Sequence, residues 1–509
     1  MQFYLNGYKP GDPEIAAPAP GFESFSKALP DVVDVLIVGT GPAGCVLAAQ
    51  LSTFTGIKTA VVERRTGPLE LGQADGVACR TVEMFESFGF ASRMMHEACQ
   101  ISETAFWRPD PKDRSRIIRT GRVDDVEEGL SEMPHLIVNQ ARLQQYLLEY
   151  MEKGPTKLTP HYGLECVDVK VAHGEGDTSV ADEYPVTATL KSADGAEKII
   201  KAKYVVGADG ARSNVRRSIG RELKGDVANH AWGVMDILAV TDFPDIRMKA
   251  AIQSATEGNI LLIPREGGYM VRLYVDLGHV DASAKESIRN MPAEKIIATA
   301  QRVLHPYKLD VKDIAWFSVY EVGQRVTDKF DDAVREGQLP RVFIMGDACH
   351  THSAKAGQGM NVSMQDAYNL GWKLSRAGRP QRCDAAEHLF RRAPARGTAP
   401  HRLRQGMVGH HGLTAQRPEA PGARRRRPGA VAGLLRQVGP LHRRRGDALP
   451  RWSVGGRRQA SRPCQGFDHR HAFSLRASCS HCRRQGRASG PRAPRRRRMA
   501  LVCVRGQEG

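Results

Sequence analysis

From Asp34 onward the chain alternates between apolar runs and amphipathic stretches. The run VDVLIVG is short, apolar and ends in glycine, the pattern of a buried parallel strand. GPAGCVLAAQLSTF predicts a helix and KTAVVERR a second strand, so the three make a βαβ opening. TVEMFESFGFASRMMHEA and QARLQQYLLEYMEK have helical spacing. Segments 185–206 and 231–240 alternate as strands do, and GNILLIPREGGYMVRLYVDL reads as a hairpin turning near Glu266, Gly267 and Gly268. PAEKIIATAQRVL is an amphipathic helix, RVFIMGDA a short strand, and GMNVSMQDAYNLGWKL a helix after a glycine-rich turn. Residues 1–30, interrupted by Pro10, Pro13, Pro18, Pro20 and Pro30, read as an extended arm. No internal repeat is visible, and the fold class expected is α/β.

Charge divides the chain in two. Of its 509 residues, 74 are Lys or Arg and 56 Asp or Glu, a net charge of +18. Residues 376–509 hold 32 Arg, no Lys and 6 acidic residues, a net of +26; the remainder, 42 basic and 50 acidic, carries −8. The body is therefore mildly acidic, and a pI of 9.6 says nothing about nucleic acid binding by it. The tail also lacks Ile, Asn and Tyr, residues with A/T-rich codons, and shows no apolar period. Translation of a GC-rich gene out of frame explains this better than an arginine-rich nucleic-acid tail, and such a segment is expected to be disordered. The length suits two or three domains. No apolar run approaches the ~20 residues of a membrane-spanning helix. The N-terminus lacks the basic start and apolar stretch of a secretory signal. Cys45, Cys79, Cys99, Cys166 and Cys349 are scattered through the body, which favours a reducing, cytoplasmic setting.

Three motifs carry the chemistry. Gly39, Gly41 and Gly44 form a GxGxxG between strand and helix, for the tight turn, the approach of backbone to a pyrophosphate, and close helix packing. Glu63, at the end of the second strand, is placed to accept hydrogen bonds from a ribose. YVVGADGARSNVRR brings Gly207, Asp209, Gly210, Ser213 and Arg216. VFIMGDACHTHSAKAGQGMN brings Asp347, where a carboxylate can hold ribityl hydroxyls. It also brings the turn Gly357, Gln358, Gly359, Met360 and Asn361, whose helix N-terminus can face a flavin's electron-rich edge.

In order and spacing these motifs resemble the class A FAD-dependent aromatic hydroxylases, in their phenol 2-monooxygenase and 3-hydroxybenzoate 4-monooxygenase branch. MQFYLNGYKPG, ELGQADGVACRTVEMFESF, GLSEMPHLIVNQARL, NHAWGVMDILAVTDFPD and LLIPREGGYMVRLYV carry the resemblance further. It covers residues 1–375 and not the tail. It implies a p-hydroxybenzoate-hydroxylase-like FAD-binding domain (31–110, 199–225 and 338–375) interleaved with a mixed-sheet substrate domain (111–198 and 226–337). It implies FAD as cofactor, NAD(P)H as transient donor, O2 and a small aromatic substrate. It also implies a homodimer through the family's C-terminal domain, which nothing in 376–509 matches. Arg64, Gln73, Gln140 and Asp209 join the cofactor set by the same resemblance.

The family's electrophilic oxygen demands an electron-rich ring. Asp75 and Tyr274 match its phenol-binding pair, Arg265 its active-site arginine, and His135 and Lys249 the pair that meets a substrate carboxylate. Ala354 stands where the family usually has proline. The main expectation is hydroxylation of a phenolic acid. The alternatives are a hydroxylase of neutral phenols, a non-catalytic FAD-binding remnant, or nucleic-acid binding through the tail. No metal is expected. His350 and His352 have no third ligand at suitable spacing, and the CSHC of Cys479 and Cys482 lacks a second pair.

Overall fold

The computed structural model describes residues 11–377 apart from 13, 26, 173–182, 280–289, 336–337 and 353–358. In chain order, β1 (Val32–Val38), α1 (Pro42–Leu51) and β2 (Thr59–Glu63) form the predicted opening. Next come β3 (Gly76–Val77), α2 (Cys79–Glu86), α3 (Ala91–Glu97), β4 (Cys99–Ile101), β5 (Glu103–Pro109), β6 (Ile117–Asp124), β7 (His135–Ile137) and α4 (Gln140–Lys153). The middle holds β8 (His161–Tyr162), β9 (Leu164–Val171), β10 (Val186–Ser192), β11 (Glu197–Gly207), α5 (Asn214–Ser218), β12 (Lys224–Thr241) and β13 (Lys249–Gln253). Last are β14 (Asn259–Pro264), β15 (Val271–His279), α6 (Ala293–Val303), β16 (Leu309–Val326), β17 (Val342–Ile344), β18 (His350–Thr351) and α7 (Gly359–Ala377).

A seven-stranded sheet runs β8-β2-β1-β11-β10-β9, with β17 also on β11. β1 pairs parallel with β2 and β11. Its apolar run is continuous because both faces are buried: Val35 and Ile37 join the core under α1, α4 and α7, while Leu36 and Val38 join the core on the other side. α1 is apolar almost all round because it packs on α4 and α7 as well as on the sheet. The stretch predicted as one helix from Thr81 is two, α2 and α3, because Gly89 adopts φ +81° between them. The N-terminal arm lies along the end of α4, with Ala16 N donating to Lys153 O and Phe22 buried.

An eight-stranded sheet runs β18-β16-β12-β15-β14-β13-β5-β6. The predicted hairpin is β14–β15, turning where Gly267 and Gly268 take φ +82° and +85°. Alternation separates its faces. Met235, Ile237, Leu262, Leu273 and Val275 point into a core closed by Ile296, Ala300 and Val303 of α6. Val234, Tyr274 and Ile263 point the other way. A small sheet, β3-β7-β4, lies against that second face, with Ile101 and Ile137 packed on Tyr274 and Val234.

The chain crosses between the sheets more often than the spacing of motifs indicates. β5, ahead of residue 110, belongs to the eight-stranded sheet through parallel pairing with β13, whereas β9 and β10, within 111–198, belong to the seven-stranded one. β16 was not marked by the pattern, and its pairing with β12 is interrupted by three register shifts that break strict alternation. No helix among the described residues is long and apolar enough to cross a membrane. The arginine-rich segment, the CSHC cysteines, Ala354, Gly357 and Gln358 lie outside the described residues.

Candidate active site

The glycine motif sits at the carboxyl end of β1. Gly39 has φ +103°, and a Cβ there would lie 2.5 Å from Ala208 O. A Cβ on Gly44 would lie 1.9 Å from Gly39 O, so only glycine lets α1 approach the strand. Gly41 has nothing nearer than Ala208 O at 4.0 Å, which leaves its backbone open to a pyrophosphate. Glu63 is buried and ties the turn together. It accepts from Thr40 N and Thr40 Oγ1, both at 2.8 Å, and from Arg65 N at 3.0 Å. Burial works against its charge, but these bonds and the Arg65 guanidinium leave it below the ordinary value. Arg65 makes the ion pair with Glu63, and the neighbouring Arg64 is exposed.

The later motifs brace the same edge. Asp209 braces the start of α5, whose N-cap is Ser213, accepting from Ser213 Oγ and from Asn214 N at 2.8 Å. Arg216 donates to Ala348 O at 3.0 Å and joins that motif to the GD turn. There Asp347 is exposed, in a 3₁₀ turn where Gly346 has φ +59°. Asn361, near the start of α7 beside Gly359 and Met360, turns its side chain into the fold. Its Oδ1 accepts from Ala78 N and Thr81 Oγ1, and its Nδ2 donates to Gly76 O, all at 2.8 Å. Gln140 Oε1 accepts from Gln73 N and Ala74 N at 3.0 Å and pins the QADG loop. Glu63, Asp209, Gln140 and Asn361 therefore shape the cradle through protein contacts. The open Gly41 backbone and the exposed Asp347 suit a bound dinucleotide. His350 Nε2 meets Asp366 at 2.5 Å with Cys349 beside it, a grouping of donors that sequence spacing did not reveal.

A buried polar cluster lies where the QADG loop meets the second face of the eight-stranded sheet. Asp75, Tyr274 and Arg265 are all nearly inaccessible. Two further members were missed: Arg272 and Asp236. Arg272 is two residues before Tyr274 on β15 and so shares its face, and Asp236 is directly opposite Arg272 on β12. Arg272 NH1 is 3.2 Å from Asp75 Oδ2, nearer than Arg265 NH1 at 3.8 Å. Its guanidinium also lies over the Trp316 ring, 4.9 Å from the centroid. Burial pushes Asp75 above the ordinary carboxylate range against the pull of Arg272 and Arg265. Burial raises Tyr274 as well, and Asp75 adds to that. Burial opposes the charge on Arg272, but Asp236 and Asp75 more than offset it. The period-2 rule applied back from Tyr274 would have found Arg272. Asp236 needed the strand register.

His135 and Lys249 are brought together by a third residue, also missed. Asp125 Oδ2 is 2.6 Å from His135 Nδ1 and its Oδ1 is 2.5 Å from Lys249 Nζ. Burial opposes the Asp125 charge, yet Lys249 and His135 hold it well below the ordinary range. Lys249 precedes Ala250, which pairs with Leu262, so it shares the row of Ile263, the partner of Arg272. Two strand spacings put the Arg272 and Lys249 backbones about 10 Å apart on one face.

The family described as FAD binding domain matches residues 32–393. The 3-hydroxybenzoate 4-monooxygenase of Comamonas testosteroni is 57% identical over 399 residues, covering 77% of this chain and 61% of that protein. A phenol 2-monooxygenase of Aspergillus fumigatus is 37% identical over 347 residues, covering 68% of this chain and 55% of its own length. Among solved structures, aklavinone-11 hydroxylase in a ternary complex with FAD and aklavinone superposes with a TM-score of 0.53 at 25% identity, over 68% of this chain and 62% of that one. The chain thus spans somewhat over half the length of these relatives.

Proposed function

This chain belongs to the FAD binding domain family, and from that premise we propose that it is an NAD(P)H-dependent FAD monooxygenase hydroxylating a phenolic acid such as 3-hydroxybenzoate. The observation that carries the reading is one face of the eight-stranded sheet, where Tyr274 meets the buried Asp75 of the QADG loop at one end and Lys249 shares Asp125 with His135 of the small sheet at the other. Gly39, Gly41, Gly44 and Asp347 would hold FAD, which once reduced by NAD(P)H supplies the oxygen activation. Asp75 accepts the proton of the phenol hydroxyl, and Tyr274 hydrogen-bonds the same oxygen, so electron density rises in the ring. Ile101, Ile137, Val234 and Ile263 exclude water around them, which strengthens both interactions. Lys249 and His135 fix the substrate carboxylate and with it the ring carbon presented for attack.

A second reading, a neutral phenol as substrate, is favoured by Asp125, whose charge offsets that of Lys249. Oxygen consumption by the FAD-loaded full chain with NADH or NADPH, followed by product identification, tests both. Conversion of 3-hydroxybenzoate to 3,4-dihydroxybenzoate, with phenol turned over less efficiently, supports the first. The reverse preference supports the second. Reductant oxidation with neither product refutes hydroxylation.

A further inference from the structure

The five charged or phenolic groups around Asp75 do not share their hydrogen bonds evenly. Asp75 faces Arg272 and Tyr274 on β15, Arg265 and Glu266 at the turn after β14, and Asp236 on β12. Asp236 takes the best-placed donors. Its Oδ1 accepts from Arg272 Nε at 2.6 Å, and its Oδ2 from Arg272 NH2 at 2.7 Å and Arg265 NH1 at 2.9 Å. Glu266 takes Arg265 Nε and NH2 at 2.9 and 2.7 Å. Arg272 NH1 donates at 2.6 Å to the Gln73 carbonyl. Asp75 Oδ2 is left buried with ion-pair neighbours but no hydrogen bond.

A carboxylate with that history is unusual, since two guanidiniums within reach would ordinarily dock on it in bidentate fashion. Here both are already turned to Asp236 by the register that sets Arg272 opposite it. We propose that Asp236 is a positioning residue that holds Arg272 and Arg265 off Asp75, so that Asp75 keeps an unsatisfied oxygen with which to accept the proton of a phenol. The nearby cations still make an ionised Asp75 tolerable in a buried site. The missing hydrogen bonds keep it basic, in line with its upward shift. Asp236 touches no reacting atom in this scheme and acts only through the arginines. The inference rests on the reading of Asp75 as phenol acceptor.

Phenol is the probe, because it does not itself titrate in the acid range. Its affinity for the FAD-loaded full chain is measured by calorimetry from mildly acidic to neutral pH, with circular dichroism at each point. Binding should be present above the Asp75 titration and lost below it, with a midpoint in the wild type above the ordinary aspartate value of 3.8. Asp75→Asn should remove that acid limb; a limb that survives refutes the reading of Asp75 itself. Asp236→Asn removes a negative neighbour and frees guanidinium donors, and both effects stabilise ionised Asp75. The midpoint should therefore fall by about one unit or more, a tenfold change in proton affinity. Asp236→Ser gives the same test if the amide variant does not fold. A purely structural role for Asp236 would weaken binding at every pH with the midpoint unmoved, and that result overturns the proposal. So does a wild-type midpoint at or below 3.8, which needs no variant.

Discussion

Replacing Lys249 by methionine removes one charge while keeping most of the side-chain volume. Nζ lies 2.5 Å from Asp125 Oδ1, with 21% of the side chain exposed. A hydrogen bond from Nζ to a substrate carboxylate would contribute about 1.5–3 kcal/mol, and partial exposure places it in the lower half of that range. The substitution also leaves Asp125 with His135 as its one remaining partner of the pair. A substrate carboxylate would then meet a less compensated anion, adding repulsion of about 1 kcal/mol after screening. The loss for 3-hydroxybenzoate is therefore about 2.5–3.3 kcal/mol, or roughly 70- to 250-fold in Kd. Phenol has no carboxylate and should change by less than about threefold, within the usual scatter of a surface-linked substitution. Calorimetric titration of both ligands into FAD-loaded wild type and Lys249→Met gives the two ratios, with flavin absorbance and thermal unfolding as checks on the fold. Equal weakening of both ligands, or an unchanged affinity for the acid, would refute the carboxylate assignment.

Asp347→Ala should raise the Kd for FAD by about 10- to 150-fold, the equivalent of a charge-assisted hydrogen bond of about 1.5–3 kcal/mol, as read by flavin fluorescence. Gly44→Ala puts a methyl 1.9 Å from Gly39 O and should abolish FAD retention on gel filtration while lowering the melting temperature. Ile296→Ala empties a fully buried site under β12 and should cost about 2–5 kcal/mol in urea unfolding without changing FAD affinity. The Asp125 carboxyl is held below its ordinary value, so its contribution to stability is complete above about pH 4 and is lost as pH falls further. Asp125→Asn should flatten the stability profile below pH ~4; an identical slope in both proteins would exclude the ion triad as a source of acid sensitivity.

Local pattern along the chain determined a large part of this protein. The strand, glycine turn and helix of residues 32–51 are encoded within one βα unit, because each glycine serves a contact inside that unit or one strand away. The β14–β15 hairpin is equally legible, since its two strands alternate and the paired glycines between them accept positive φ. Helices α4, α6 and α7 follow their apolar spacing. Asp75, Tyr274, His135 and Lys249 are legible through family resemblance, and the fold sets Asp75 beside Tyr274 and joins His135 to Lys249 through Asp125. What tertiary structure alone decided is who partners whom. Asp236 meets Arg272 across 36 positions, Asp125 meets Lys249 across 124, and Asn361 reaches Ala78 across 283. Those distances have no period in the sequence, because strand register and sheet order set them. In a buried site the partners, more than the residue types, decide which carboxylate is a counter-ion and which is left with an oxygen to spare.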